Sequence, residues 1–171
     1  MIARFSRPVS LRRMKQEETI TIEANAEERA ALAEELDLLT LDSLTATMVL
    51  RPWRGEGVRV TGTVKGALSQ ACVVSLEPVP AVVEESFDLR LHPDIQDAST
   101  VDVDPDASDP PEPLEGNTID VGAIALEHFA LGIDPYPRAP GAAYEEESAE
   151  EEEEEQPSPF AVLAALKNEN G

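Results

Sequence analysis

The chain has 171 residues, enough for one domain with appendages, and its make-up of 42% hydrophobic but only 4% aromatic residues calls for a small aliphatic core. A single cysteine excludes an internal disulfide and an all-cysteine zinc cage, and no apolar run approaches the ~18 residues of a membrane span. The net charge of −22 is uneven: residues 1–90 hold 11 basic and 14 acidic side chains (net −3), and residues 91–171 hold 2 and 21 (net −19), a field that repels phosphate backbones and attracts basic surfaces.

The N-terminal MIARFSRPVSLRRMKQ has no apolar core of the kind a secretory signal needs. It is Arg-rich and acid-free like a transit peptide. The preferred reading is a first strand, Phe5 to Leu11, then a basic turn with Arg12, Arg13 and Lys15. With so little thiol, a cytoplasmic protein is expected. Thr19 to Glu23 reads as a short strand. Asn25, with Glu28 three residues on, forms a capping-box signature for a helix over Ala26–Leu39, with Leu32, Leu36 and Leu39 on the face toward a sheet. Leu44, Ala46, Met48 and Leu50 alternate with Thr45, Thr47, Val49 and Arg51 in another strand, and Pro52 to Gly57 is a turn.

Residues 56–93 carry the strongest signal. Val58, Val60, Gly62, Val64, Gly66 and Leu68 alternate with Arg59, Thr61, Thr63, Lys65 and Ala67. After a break near Ser69, Gln70, Cys72, Val74 and Leu76 continue the period. After Pro78 and Pro80, so do Val83, Glu85, Phe87, Leu89 and Leu91. Period two is what a sheet with one buried and one wet face requires, and short runs closed by Gly, Ser and Pro predict an antiparallel meander. Gly62 and Gly66 share a face on which another element can pack closely.

From Asp94 to Gly116 acids and prolines predominate, predicting a flexible acidic loop. Thr118 or Asp120 caps a second helix to about Leu131, with Gly132 as its stop and the proline-fixed DPYPRAPG lying extended against the domain. These features define a domain over residues 1–142. Residues 143–158, with glutamate runs 145–147 and 150–155, read as a disordered, self-repelling linker. Ser158 and Pro159 open a short amphipathic helix within 159–171, with Phe160, Leu163 and Leu166 on one stripe. It is too short to stand alone, so it docks on the domain or folds on a partner.

The pattern VxGxVxGxLxQxCxVxLEPV, with Gly62, Val64, Leu68, Cys72, Leu76, Glu77, Pro78, Val79 and Phe87, resembles the YceD family of large ribosomal RNA subunit accumulation proteins. IDVGAIALEHFALGIDPYPRAPGA (119–142) and PFAVLAALK (159–167) extend the resemblance in the same order. It implies a role in ribosome assembly rather than a chemistry. Many members also carry a second cysteine three residues on and a cysteine-rich segment downstream, which looks like a zinc site. Here those places hold Ser75 and DPYPRAPG, so no metal is expected.

No catalytic or cofactor site is legible. Asp102, Asp104 and Asp106 lack the glycine and glutamate of a calcium loop, for Ala107 and Pro113 stand there. His92 and His128 have no partnered nucleophile, and the glycines make no phosphate loop. Cys72 reads as a small buried hydrophobe. Trp53 between Arg51 and Arg54 has the make-up of a base-stacking contact, although a tryptophan closing the sheet is the plainer reading. Tyr136 and Arg138, with Phe160, Leu163 and Leu166, are further candidates for partner binding.

The expected architecture is α+β: a small antiparallel sheet or partly closed barrel of five or six strands, two packed helices and acidic disordered segments. The expected function is non-enzymatic, supporting accumulation of large-subunit ribosomal RNA by binding a basic ribosomal protein. The alternative is direct contact with a ribosomal RNA precursor through the basic N-terminal region, and an enzyme without a recognisable motif is a further one. No cofactor and no membrane partner are expected, and the sequence leaves the oligomeric state open.

Overall fold

The computed structural model describes residues 5–95 and 110–142. The predicted linker 143–158, the predicted C-terminal helix and the Asp102–Asp106 run lie outside the described residues. Three long strands, β3 (Thr40–Trp53), β4 (Gly57–Ala71) and β5 (Pro78–His92), form the body of an open sheet. They are flanked by β2 (Glu18–Glu23) and β6 (Glu112–Pro113) in the order β2-β3-β4-β5-β6. A second, two-stranded sheet joins β1 (Pro8–Ser10) to β7 (Thr118–Asp120), with Pro8 opposite Asp120. Helix α1 (Ala26–Glu35) packs on β3, and α2 (Val121–Leu131) packs on β4, β5 and β1.

Alternation decides which face the helices cover. The register sets Leu50 beside Val60, Met48 beside Gly62, Ala46 beside Val64 and Leu44 beside Gly66. These apolar side chains are buried together with Leu32 of α1, Ala125, Leu126 and Phe129 of α2, and Phe5. A methyl added at Gly66 would stand 2.5 Å from the Phe129 ring, so this glycine is the notch that receives α2. The expectation of a close approach over the Gly62/Gly66 face therefore holds.

Both helix starts are built as the sequence implies. Asn25 Oδ1 accepts the Glu28 N–H at 2.9 Å, while Glu28 Oε2 accepts the Asn25 N–H at 2.9 Å. Asp120, rather than Thr118, caps α2, accepting N–H bonds from Gly122 (3.0 Å) and Ala123 (3.1 Å). The same carboxylate takes the Arg7 N–H at 2.7 Å and the Ser6 hydroxyl at 2.5 Å, and so holds the N-terminal strand to α2. Burial pushes the Asp120 carboxyl up, but these four donors outweigh it and hold it below the usual carboxylate range.

The fold departs from expectation in several places. Helix α1 stops at Glu35 instead of reaching Leu39. Asp37 turns left-handed (φ 54°) and the Leu38 N–H returns to the Ala33 carbonyl at 2.8 Å, a Schellman closure that buries Leu38 and leaves Leu39 exposed. The predicted break at Ser69 is absent, because β4 runs on to Ala71. The predicted strand through Val74 and Leu76 is instead a turn, with the Leu76 N–H bonded to the Cys72 carbonyl at 2.9 Å and Leu76 left-handed at φ 61°. Strand β5 begins at Pro78, whose missing N–H costs nothing on a stretch that pairs only with β4. The sheet is mixed rather than purely antiparallel, since β6 pairs in parallel with Leu91 and His92 within the segment read as a loop. It does not close into a barrel; its five strands match the expected number, and the β1–β7 pair stands apart as a second small sheet among the described residues.

Candidate functional site

The face of the sheet turned away from the helices is polar. Odd positions of β4 point there, and the register lines them up in rows. Arg51, Arg59 and Arg90 stand abreast, and the next rows are Thr19–Val49–Thr61–Asp88, Thr21–Thr47–Thr63–Ser86 and Glu23–Thr45–Lys65–Glu84. None of these side chains is buried. Hydroxyl pairs Thr21–Thr47 (3.2 Å) and Thr63–Ser86 (3.3 Å) stitch the middle row.

Like charges directly opposite one another destabilise a sheet unless something neutralises them. Arg59 makes a two-pronged bond to Asp88, Nε to Oδ1 at 2.8 Å and Nη2 to Oδ2 at 2.5 Å. This contact holds the Asp88 carboxyl below its ordinary range and raises Arg59. Arg51 meets Glu17 at 2.5 Å and Lys65 meets Glu84 at 2.9 Å. Arg90 is engaged as well.

The pole at the β3–β4 hairpin gathers several of the sequence candidates. Arg54 and Gly55 turn left-handed (φ 47° and 81°), which folds the Arg54 guanidinium over the Trp53 ring at 4.7 Å. The His92 ring meets the same indole edge-on at 6.0 Å. His92 Nδ1 accepts the Asp94 N–H at 3.2 Å, which leaves Nε2–H to donate to the Arg54 carbonyl at 3.1 Å. Trp53, half-buried, closes this end of the sheet. The Glu17–Arg51 pair also brings the segment carrying exposed Lys15 to this pole, and the 3-10 turn just before it contains Arg13 and the exposed Arg12. The side chain of Arg13 is not among those described.

Tyr136 and Arg138 are elsewhere. They lie at the opposite pole, beyond the far end of β4, and a strand of 15 residues separates the two groups by ~50 Å. The structure thus does not join them to Arg51, Trp53 and Arg54. Phe160, Leu163 and Leu166 lie outside the described residues.

Cys72 anchors this second pole and is more than a small hydrophobe. Its buried sulfur accepts N–H bonds from Ala139 (3.3 Å), Val74 (3.4 Å) and Ser75 (3.4 Å). The Ala139 bond first, and Ser75 and Val74 with it, lower the thiol to about 6 against the opposing effect of burial. The Val73 N–H bonds the Pro137 carbonyl at 2.9 Å, and Gln70 Nε2 bonds the Asp134 carbonyl at 2.8 Å. DPYPRAPG is in this way pinned to the β4–β5 turn. Among the described residues no three His, Cys, Asp or Glu side chains gather as a metal ion would need. His128 stacks flat on Phe87, centroids 4.7 Å apart.

Arg90 and the sulfur cradle escaped the sequence reading. Alternation along β5 puts Arg90 on the wet face, but its alignment with Arg59 depends on the length of the Cys72–Glu77 turn. The cradle depends on a long-range bond from Ala139.

Residues 60–167 match the family described as Large ribosomal RNA subunit accumulation protein YceD, well over half of the chain. The chain belongs to the YceD family. The matched interval takes in most of β4, all of β5, the Cys72 turn and α2. It also spans Arg90, Tyr136 and Arg138, whereas Arg51, Trp53 and Arg54 precede it. No curated protein and no solved structure matches the YceD chain.

Proposed function

We propose that this YceD protein supports accumulation of large-subunit ribosomal RNA in the cytoplasm, without catalysing a reaction, by holding a basic ribosomal protein on its acidic surface. The observation that carries this reading is the neutralisation of the sheet-face cations. Arg51, Arg59 and Lys65 each already hold a carboxylate. The field that remains is that of the surplus acids, in a chain of net charge −22. Such a surface speeds encounter with cationic partners and disfavours phosphate backbones. The test is an affinity pull-down of the tagged chain from cells at two salt concentrations, with and without ribonuclease. A basic ribosomal protein that survives ribonuclease and is lost at high salt supports the reading. Large-subunit RNA precursors as the sole co-purifying species sink it.

One observation favours direct RNA contact as a second reading. No salt bridge among the described residues involves Arg12 or Lys15, and both are exposed in the segment leading to Glu17, which pairs with Arg51. On that reading, neutralising Arg12, Arg13 and Lys15 together abolishes a salt-sensitive affinity for RNA. An RNA affinity that is insensitive to these substitutions excludes it.

A further inference from the structure

The large hydrophobic side chains left exposed among the described residues are Leu39, Val73, Leu76, Val82, Leu131 and Tyr136. All belong to one end of the molecule. Val73 and Leu76 form the tip of the β4–β5 turn, and Val82 lies opposite Ala67 on the first part of β5. Tyr136 precedes the Pro137 carbonyl that receives the Val73 N–H, and the Leu39 N–H bonds the Ser69 carbonyl at 2.8 Å. Leu131 ends α2, beside the Gly132 that packs on Val83 and Glu85. None is at the hairpin pole ~50 Å away. Leu76 is the extreme case, 76% exposed and held at φ 61°, where a leucine is strained and a glycine would be at ease. A strained leucine kept in water at the tip of a turn with exposed Val73, beside the segment that carries exposed Tyr136, marks an apolar surface suited to being covered.

We propose that this apolar pole is the docking site of the chain's own C-terminal segment, with Phe160, Leu163 and Leu166 seated on Val73, Leu76 and Tyr136. The described chain ends at the right place. The Ala139 N–H is on the Cys72 sulfur and the Ala142 N–H is on the Ala139 carbonyl, so the chain departs from the pole itself. Seventeen residues separate Ala142 from Phe160. A flexible chain of that length spans roughly 20–25 Å on average, and mutual repulsion of its glutamates extends it further, so it reaches any part of this pole without being drawn taut, whereas the hairpin pole demands a nearly fully extended tether. Nine of the seventeen are glutamates, so the tether cannot itself cover leucines, whereas Phe160, Leu163 and Leu166 recur at helical spacing on one stripe. A tether this short gives an effective concentration on the order of millimolar. A segment with a dissociation constant of ~0.1 mM as a free peptide is then docked about ten to one. The inference does not depend on which ribosomal component the protein holds.

Methyl and amide NMR on the full chain tests it. Contacts from the Leu163 and Leu166 methyls to Leu76, Val73 and Tyr136 are expected, unchanged on tenfold dilution. The full-length double variant L163S/L166S should shift the Leu76 and Tyr136 signals and leave Trp53 and Arg54 unmoved. The single variant Leu76→Gly, which relieves the strained turn, should release the segment while the fold persists. Three results overturn the proposal. Residues 159–167 of the full chain have the shifts of a synthetic 157–171 peptide, which leaves the pole to an external partner. The contacts fade on dilution, which assigns the pole to a second copy. The contacts fall on the hairpin pole instead. The pull-down reads partner binding by a separate route, so either idea can fail alone.

Discussion

Replacing Gly122 by alanine sets two physical effects of opposite sign against each other. Alanine is favoured over glycine by about 1 kcal/mol in a helix interior and by at most that in the first turn, where Gly122 stands, so propensity alone predicts a stabilised protein. The structure predicts the reverse. An alanine Cβ at this position would lie 1.8 Å from the Phe5 carbonyl oxygen and 3.0 Å from the Arg7 nitrogen. The obstacle is backbone, not a side chain that can swing away, so the N-terminal strand must retreat by well over 1 Å. That movement uncovers Phe5, now fully buried, and strains the Arg7–Asp120, Ser6–Asp120 and Val121–Arg7 bonds. Complete loss of a buried phenylalanine costs about 3–5 kcal/mol and each hydrogen bond about 1 kcal/mol. With half of this lost and the propensity gain set against it, the net penalty is about 2–3 kcal/mol, and Tm falls by on the order of 10 °C. Urea unfolding followed by circular dichroism measures it. The midpoint should fall, and the slope m should fall too, because part of the native surface is already exposed. The control is Ala123→Gly, one exposed residue along in the same first turn, which should cost at most the propensity difference of about 1 kcal/mol. A Gly122→Ala protein as stable as the parent, or more so, would refute the packing of β1 against α2.

Other expectations follow from the same geometry. Asp120→Ala removes the acceptor for four donors and should cost about 2 kcal/mol at neutral pH by thermal melts. Because the folded Asp120 carboxyl is held low, its contribution is complete above the unfolded carboxylate range near 4 and is lost as pH falls through the lower folded value. The penalty of the substitution should therefore shrink in acid. Cys72 is the lone thiol, so thiolate absorbance near 240 nm reports it alone, and the titration midpoint should be about 6, with a midpoint near 8.5 counting against the sulfur cradle. A lowered thiol makes stability rise with pH from about 6 up to the unfolded thiol's value, and Cys72→Ala should flatten that slope in denaturation midpoints measured across the window. Asp37→Gly should stabilise by up to about 1 kcal/mol, since glycine adopts the left-handed closure of α1 without strain, and a loss of stability in urea would argue against that closure.

The sheet was legible because period two is a local signal: Leu44, Ala46, Met48 and Leu50 of β3, Val58, Val60, Val64 and Leu68 of β4, and Val83 and Phe87 of β5 are buried as the alternation implies. The Asn25 cap and the α2 cap were legible for the same reason, since donor and acceptor are neighbours in the chain. What escaped depends on partners far away. Alternation through Cys72, Val74 and Leu76 fits a strand as well as a turn, and the decision is made by Ala139 and Pro137, more than sixty residues on. The early end of α1 at a left-handed Asp37 escaped because aspartate is a poor advertisement for that conformation. Strand β6 has two residues and a proline, and only pairing with Leu91 and His92 makes it a strand. Of the candidate site, the Arg51–Trp53–Arg54 cluster was visible as neighbours in sequence, while the three-arginine row needed the register of β5 against β4.

The clasp between β1 and β7 has a consequence in time. Pro8 pairs with Asp120, so the first strand leaves the ribosome long before its partner exists. At synthesis rates of about 5–20 residues per second, roughly 6–20 s pass between the two. During that interval β2 to β5 can form as successive hairpins, each closing a short loop, while Phe5 has no α2 to lie beneath. The arginine-bearing turn that follows β1 is in the same position, fixed at its C-terminal side only once Glu17 finds Arg51. By this order of synthesis the N-terminal segment is locked late, and the basic residues it carries have that interval in which to meet other molecules.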